Sequence, residues 1–365
     1  MFKTLNTYIH IPFCSSKCKY CSFVSYLNVK FVDDYFEALK KEIKYYYKNE
    51  LQKTLYIGGG TPSCISIDKI NEIVEMFKYC ENNCEITMEI NPNDINEEYL
   101  KKLKKTKINR ISIGVQSFND DILKTIGRQH SSLEAIRAIK KVVQAGFKNI
   151  SLDFIYGLPN QTLSDFKNDL KLATNFDITH ISLYGLKIDE NCYFYKHKPV
   201  NLLSEDEQSD YYEYACDFLN KNGFMQYEIS NFSKKDYFSK HNINYWNCGN
   251  YYGFGAAACG YDGNIRYQNN INLKKYIENP VKKEMTELLT DDDKLYEAII
   301  LGFRLSCGIN VQKINDQFNI NFEKKYKKQL EKFKKFIKKS NCGCYCLTQK
   351  GFLLSNCILS EFCED

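Results

Sequence analysis

No apolar run in this chain approaches the length needed to cross a bilayer, and the N-terminus lacks the pattern of a secretory signal. Neither charge sign dominates: 50 basic residues against 45 acidic leave +5, too small a surplus for 365 residues to argue for nucleic acid. Sixteen cysteines lie well below the density of a disulfide scaffold. These absences argue against membrane spans, nucleic-acid partners and a secreted stapled fold. With no export signal the protein is expected in the cytoplasm, its thiols reduced and open to metals. Tryptophan occurs once, at Trp246. Aromatics of the other kinds are plentiful, with 28 Tyr and 24 Phe in a chain that is 44% apolar. That suffices for a sizeable core, in about two domains or one large barrel with an appendage.

Strand and helix patterns alternate from the start. Residues 4–11 read as a strand, 31–47 as a helix, and 54–57 as a strand running into Gly58-Gly59-Gly60-Thr61-Pro62. Helix 67–80, strand 85–90, helix 96–105, strand 110–114, helix 131–145, strand 150–154, helix 164–175 and strand 180–184 follow. Six strands with helices between most pairs predict an α/β fold with a parallel sheet and right-handed crossovers.

The loop after the first strand lies in YIHIPFCSSKCKYCSF (residues 8–23) and places Cys14, Cys18 and Cys21 at spacings of four and three. Three such thiolates suit three corners of an iron–sulfur cube, leaving the fourth iron open to a small molecule. A zinc site with a distant fourth ligand, or three unrelated buried thiols, fits the bare spacing as well. Position adds information. Cys14, the triple glycine, Glu89, Gln116, Asp153 and Gly185 all fall at or just past strand C-termini. In parallel α/β barrels that edge carries the active site. Glycines there let the backbone approach a ligand and present its N–H and C=O groups.

The segments YIHIPFCSSKCKYCSF, YIGGGTPS, MEINP, RISIGVQSF, GRQHS, LDFIYGLPNQT, YEISNFS and HNINYW occur in this order over residues 8 to about 260. In these the chain resembles the oxygen-independent coproporphyrinogen III oxidase-like family of the radical S-adenosylmethionine (SAM) superfamily. The resemblance implies a partial (β/α)6 TIM-like barrel over residues 1–271 and a smaller, mainly helical HemN_C-like domain over 272–365. It implies a 4Fe–4S cluster on Cys14, Cys18 and Cys21, with the amino and carboxylate groups of SAM on the open iron. Reductive cleavage of SAM is within such a scaffold's reach. Tyr8, Tyr20, Gly59 and Glu89 are implied as SAM contacts, a carboxylate being suited to ribose hydroxyls. Gly60, Thr61, Gln116, Arg128, Asp153 and Gly185 match positions that the oxidase uses around a second SAM.

Within the family the chain leans towards the heme-chaperone branch, HemW. The oxidase branch has a further cysteine two residues after its last cluster ligand, where Phe23 stands here after Ser22. It also has a long N-terminal extension, which this sequence is not expected to carry. KHNINYW (Lys240 to Trp246) resembles a motif of the chaperone branch, with His241 an imidazole ligand beside Tyr245 and Trp246 as flat aromatic surface. Where that branch usually has a histidine this chain has Cys259, which is also able to ligate heme iron. The expected cargo is therefore heme and the expected partners are heme-accepting respiratory proteins. Coproporphyrinogen oxidation, or radical chemistry on another substrate, are the alternatives.

Beyond residue 271 the barrel pattern ends. Residues 291–305 read as a helix with an acidic start suited to its dipole. Phe322, Tyr326, Leu330, Phe333 and Ile337 recur at helical spacing opposite a lysine face, a pattern able to pack on the core or touch an anionic membrane. Cys342, Cys344, Cys346, Cys357 and Cys363 cluster in the tail without a common zinc spacing.

Overall fold

A computed structural model describes residues 4–340 and 342–363. Its centre is six strands: β1 (Thr4–Ile11), β2 (Leu51–Gly59), β3 (Cys80–Ile90), β4 (Arg110–Gln116), β5 (Asn149–Tyr156) and β6 (His180–Gly185). They lie side by side in chain order and every neighbouring pair is parallel. Helices occupy each crossover, so the parallel sheet expected from the alternation and the partial (β/α)6 barrel implied by the resemblance are present.

Side-chain parity explains how these strands build both a core and a site. On β4, Ile111, Ile113 and Val115 are fully buried in the core, while Arg110, Ser112, Gly114 and Gln116 open onto the opposite face. On β5, Leu152 and Phe154 join the core, and Asp153 between them turns to that same inner face. Each such aliphatic burial contributes roughly 1.5–3 kcal/mol. The outer helices are started by side chains that close their first turns. Ser131 and Glu134 form a reciprocal capping box for Ser132–Gln144, as Thr162 and Asp165 do for Leu163–Thr174.

The sheet extends past both edges of the parallel core. Tyr251–Phe254 runs parallel to β1, and Cys259–Tyr261, Ile265–Asn269 and Lys283–Leu288 follow antiparallel. Beyond β6 lie Asn231–Ser233 and Met225–Gln226, giving a sheet of 12 strands. The sheet thus continues past residue 271, where the domain boundary was expected. Lys283 also reaches back to the barrel, its ammonium 2.8 Å from the fully buried Glu42 carboxylate, which Tyr276 (2.7 Å) and Asn269 (2.7 Å) hydrogen-bond as well. The second unit therefore starts after Leu288.

That unit opens with the helix Asp291–Gly302, capped by Thr290 and Asp293, and contains a small antiparallel sheet of Ile309–Asn310, Cys344–Leu347 and Ile337–Lys339. The single amphipathic helix suggested by residues 322–337 is not formed. Phe322–Lys325 and Lys327–Lys332 are separate short helices, and Ile337 starts a strand. The apolar spacing serves a bend around Phe362, whose ring lies 6.4 Å from Phe322 and 5.3 Å from Tyr326. Phe322, Tyr326, Phe333 and Ile337 are all buried in the core, so this stripe offers no face to a membrane. No helix among the described residues is long and apolar enough to cross one.

Candidate functional site

The inner residues towards the C-terminal ends of β2–β6 surround a cavity of about 570 Å³. The loop after β1 brings Cys14, Cys18 and Cys21 to its wall. Backbone bonds close this loop on itself, Tyr26 N–H to Pro12 O at 2.8 Å and Cys14 N–H to Tyr26 O at 3.1 Å. Two donors are aimed at the sulfurs: Thr61 Oγ1 at Cys14 Sγ (3.5 Å) and Arg128 Nη1 at Cys18 Sγ (3.6 Å). Arg128 is itself fixed by Nη2 donating to Gly114 O at 2.5 Å and Asn91 Oδ1 at 3.0 Å. Two of the three sulfurs therefore carry a hydrogen-bond donor from outside their own loop.

The triple glycine clamps that loop. Gly60 N–H donates to Ile11 O at 2.9 Å and Thr61 N–H to Phe13 O at 2.7 Å. A Cβ at Gly60 would stand 2.5 Å from the Phe13 carbonyl oxygen, and Gly59 adopts φ +111°, a left-handed conformation open to glycine. The bare backbone also meets Glu89, which accepts from Gly59 N–H (3.2 Å) and the Tyr56 hydroxyl (2.8 Å). Burial pushes the Glu89 carboxyl up to about 7, against those two hydrogen bonds. Asp153 is likewise raised by burial while Ser112 Oγ donates to both its oxygens at 3.0 and 2.9 Å. Among the described residues, Arg110 Nε and Arg128 Nε are buried without hydrogen-bond partners. An anionic, oxygen-rich occupant suits such a wall.

Cys14, Cys18, Cys21, Tyr20, Gly59, Gly60, Thr61, Glu89, Gln116, Arg128, Asp153 and Gly185 all line this one cavity. Tyr8 does not. Its hydroxyl bonds His10 Nδ1 at 2.9 Å, and it borders a separate shallow groove with Cys259. Inner positions that strand-end reasoning passed over also line the wall: Tyr56, Arg110, Ser112 and Tyr184. On β4, reading back from Gln116 through Gly114 along the inner parity reaches Ser112 and Arg110.

His241 is corrected more sharply. It is 1% exposed, with Nδ1 against Thr54 Oγ1 at 2.7 Å and Nε2 against the Tyr245 hydroxyl at 2.7 Å. Its ring stacks on Tyr56 at 5.1 Å, and burial, then the Arg110 charge, lower its pKa to about 3. Both nitrogens are engaged inside the barrel wall, so the imidazole is not presented to a heme iron. Tyr245 is tied up with it at its hydroxyl but borders the groove beside Cys259, and Trp246 lines a larger cavity.

A parallel barrel with three thiols at its mouth beside a glycine-bared backbone defines a radical SAM protein, and the Radical SAM superfamily model matches residues 8–173. The HemN C-terminal domain model matches residues 289–354. Heme chaperone HemW of Lactococcus lactis is 37% identical, over 100% of this chain and 98% of its own length. Heme chaperone HemW of Bacillus subtilis is 34% identical over 98% of each chain. The chain belongs to the HemW family. Among solved structures, coproporphyrinogen III oxidase (HemN) of Escherichia coli superposes with a TM-score of 0.86 over 99% of this chain and 90% of that one. At 22% identity that likeness speaks to the fold alone.

Proposed function

We propose that the chain carries heme and hands it to heme-accepting proteins, on a scaffold that holds a 4Fe–4S cluster at Cys14, Cys18 and Cys21 with SAM beside it. The carrying observation is the end-to-end likeness to proteins named heme chaperone, 37% identity over 100% of this chain. Phe23 supports it. Where the oxidase branch is expected to have a cysteine, a ring 67% exposed stands at the cavity rim.

The residues present fit the implied cofactors. When bound, the cluster and SAM supply one-electron chemistry at the sulfonium carbon–sulfur bond. Thr61 and Arg128 would hold the Cys14 and Cys18 sulfurs in place by donating hydrogen bonds to them. Gly59 and Gly60 let the backbone approach the ligand, and Glu89, once ionised, accepts hydroxyl protons from a ribose. Because burial keeps the proton on Glu89 up to about pH 7, a ligand that donates two hydrogen bonds draws the carboxyl to its charged form. We place this activity in the cytoplasm, since no disulfide joins cysteines among the described residues and cluster ligands must stay reduced.

The test is anaerobic reconstitution, hemin titration and transfer to an apo-acceptor such as apomyoglobin. A Soret change followed by transfer is the expected result. No Soret change sinks the reading, and conversion of coproporphyrinogen to protoporphyrinogen in a parallel assay replaces it with the oxidase.

A further inference from the structure

The short helix Lys240–Trp246 has two faces. His241 and Tyr245 turn into the barrel, whereas Ile243 and Trp246 wall a cavity of about 670 Å³ between the late barrel segments and the C-terminal unit. That volume lies within the range of roughly 300–1,000 Å³ that holds cofactor-sized ligands. Tyr227, Phe238, Ile243 and Trp246 form its apolar side, with the Arg304 guanidinium 5.5 Å from the Trp246 ring. Across from them the turn after Leu305 brings in Cys307, an exposed thiol.

That turn is held by both units. Ser306 N–H donates to Tyr227 O at 3.0 Å and Ser306 Oγ to Gln226 O at 2.9 Å. Gly308 follows at φ +67°, where a side chain would collide with the Tyr345 carbonyl. The backbone that carries Cys307 is thus held against the barrel segment that supplies Tyr227. Lys294 and Lys313 line the same cavity; Lys294 pairs with the exposed Asp291 at 3.4 Å, and the cavity's carboxylate, Glu297, pairs with Arg266.

A flat apolar surface, a soft ligand and two cations are what a heme asks of a site: macrocycle contact, an axial bond to iron and partners for two propionates. We propose that this cavity is the heme seat, with the macrocycle against Trp246, the Cys307 sulfur on the iron and the propionates towards Lys294 and Lys313. The proposal rests on the heme-carrier reading above. On binding, the Cys307 thiol releases its proton to solvent as the sulfur–iron bond forms, and the iron keeps its oxidation state. The HNINYW segment then serves heme through its tryptophan rather than its histidine. The groove beside Cys259 is smaller, about 330 Å³, and is the competing location.

The experiment is hemin titration of the full chain and of Cys307→Ser, Trp246→Ala and Cys259→Ser. Circular dichroism and cluster absorbance after reconstitution check that each variant is folded. Cys307→Ser is expected to lose the thiolate-type Soret band of the ferrous carbonyl form. Trp246→Ala should weaken hemin binding about tenfold or more, and Cys259→Ser should match the unaltered chain. Unchanged affinity and spectrum in both Cys307→Ser and Trp246→Ala overturn the seat, as does a loss confined to Cys259→Ser, and each leaves the heme-carrier reading standing. Failure of the unaltered chain to bind hemin overturns that reading and the seat with it.

Discussion

Two cavities of similar size, about 570 Å³ and 670 Å³, are built on opposite principles. The first takes polar residues from the ends of five parallel strands and from the cysteine loop after β1, and its charges are crowded enough to shift one another. The second sets aromatic and aliphatic residues such as Tyr227, Phe238 and Trp246 beside polar ones, drawn from strands, turns and helices of two units. A site that directs electron transfer into one bond needs fixed donors and buried charge. A site that must give its cargo away gains from apolar contact, which is strong without being directional. The two cavities meet at one helix: Asn242 lines the first, Ile243 and Trp246 the second.

Replacing Cys14, Cys18 and Cys21 together with alanine has the largest expected effect. Iron content and SAM cleavage fall to background, while hemin affinity stays within about twofold because the cavities use separate walls. Loss of hemin binding in this variant would break the comparison by showing that the cavities act as one. Metal analysis and the hemin titration read both outcomes.

Glu89→Gln is next, and its effect depends on pH. In the ligand-free fold the Glu89 pKa is raised from 4.5 to about 7, so between those values the folded chain keeps a proton that the unfolded chain has lost. The stability this contributes is full below pH 4.5 and is lost as pH rises through about 7. The variant lacks that decline and should exceed the unaltered protein by up to about 3 kcal/mol above it. SAM affinity moves the other way, rising with pH in the unaltered chain and staying flat in Glu89→Gln. Denaturant unfolding and SAM binding at several pH values separate the two trends.

Gly60→Ala tests the clamp on the cysteine loop. The added methyl meets the Phe13 and Ile11 carbonyls, both backbone, and should cost about 1–3 kcal/mol in unfolding free energy together with partial loss of iron. The smallest effect is expected in the second cavity. Lys313→Ala should leave stability within about 0.5 kcal/mol and weaken hemin binding up to about fivefold, the worth of one exposed ion pair, fading at high salt.

The same contrast decides what could be read in advance. β1–β6 and the residues at their ends were legible because period-two alternation and strand-to-glycine transitions are local signals. Arg110 and Ser112 were passed over only because they stand further back on the same inner face. The second cavity had no comparable signal, since Tyr227, Trp246 and Cys307 share neither a period nor an element. His241 misled for a related reason. Sequence places it in a motif but not on a face, and a seven-residue helix turned its imidazole towards Thr54 and the tryptophan away. Residues 322–337 had the right apolar positions, yet a bend around Phe362 meets that spacing as well as a helix does.

The protein's single tryptophan stands in the wall of the larger cavity. All tryptophan emission from this chain therefore originates at one known place. A heme seated against Trp246 lies within contact range of the emitter and quenches it by energy transfer. A chromophore bound in the strand-end cavity sits on the far side of a helix about 10–12 Å across and dims it less. The depth of quenching on loading is thus a built-in ruler between the two cavities, readable in the unmodified chain without any label.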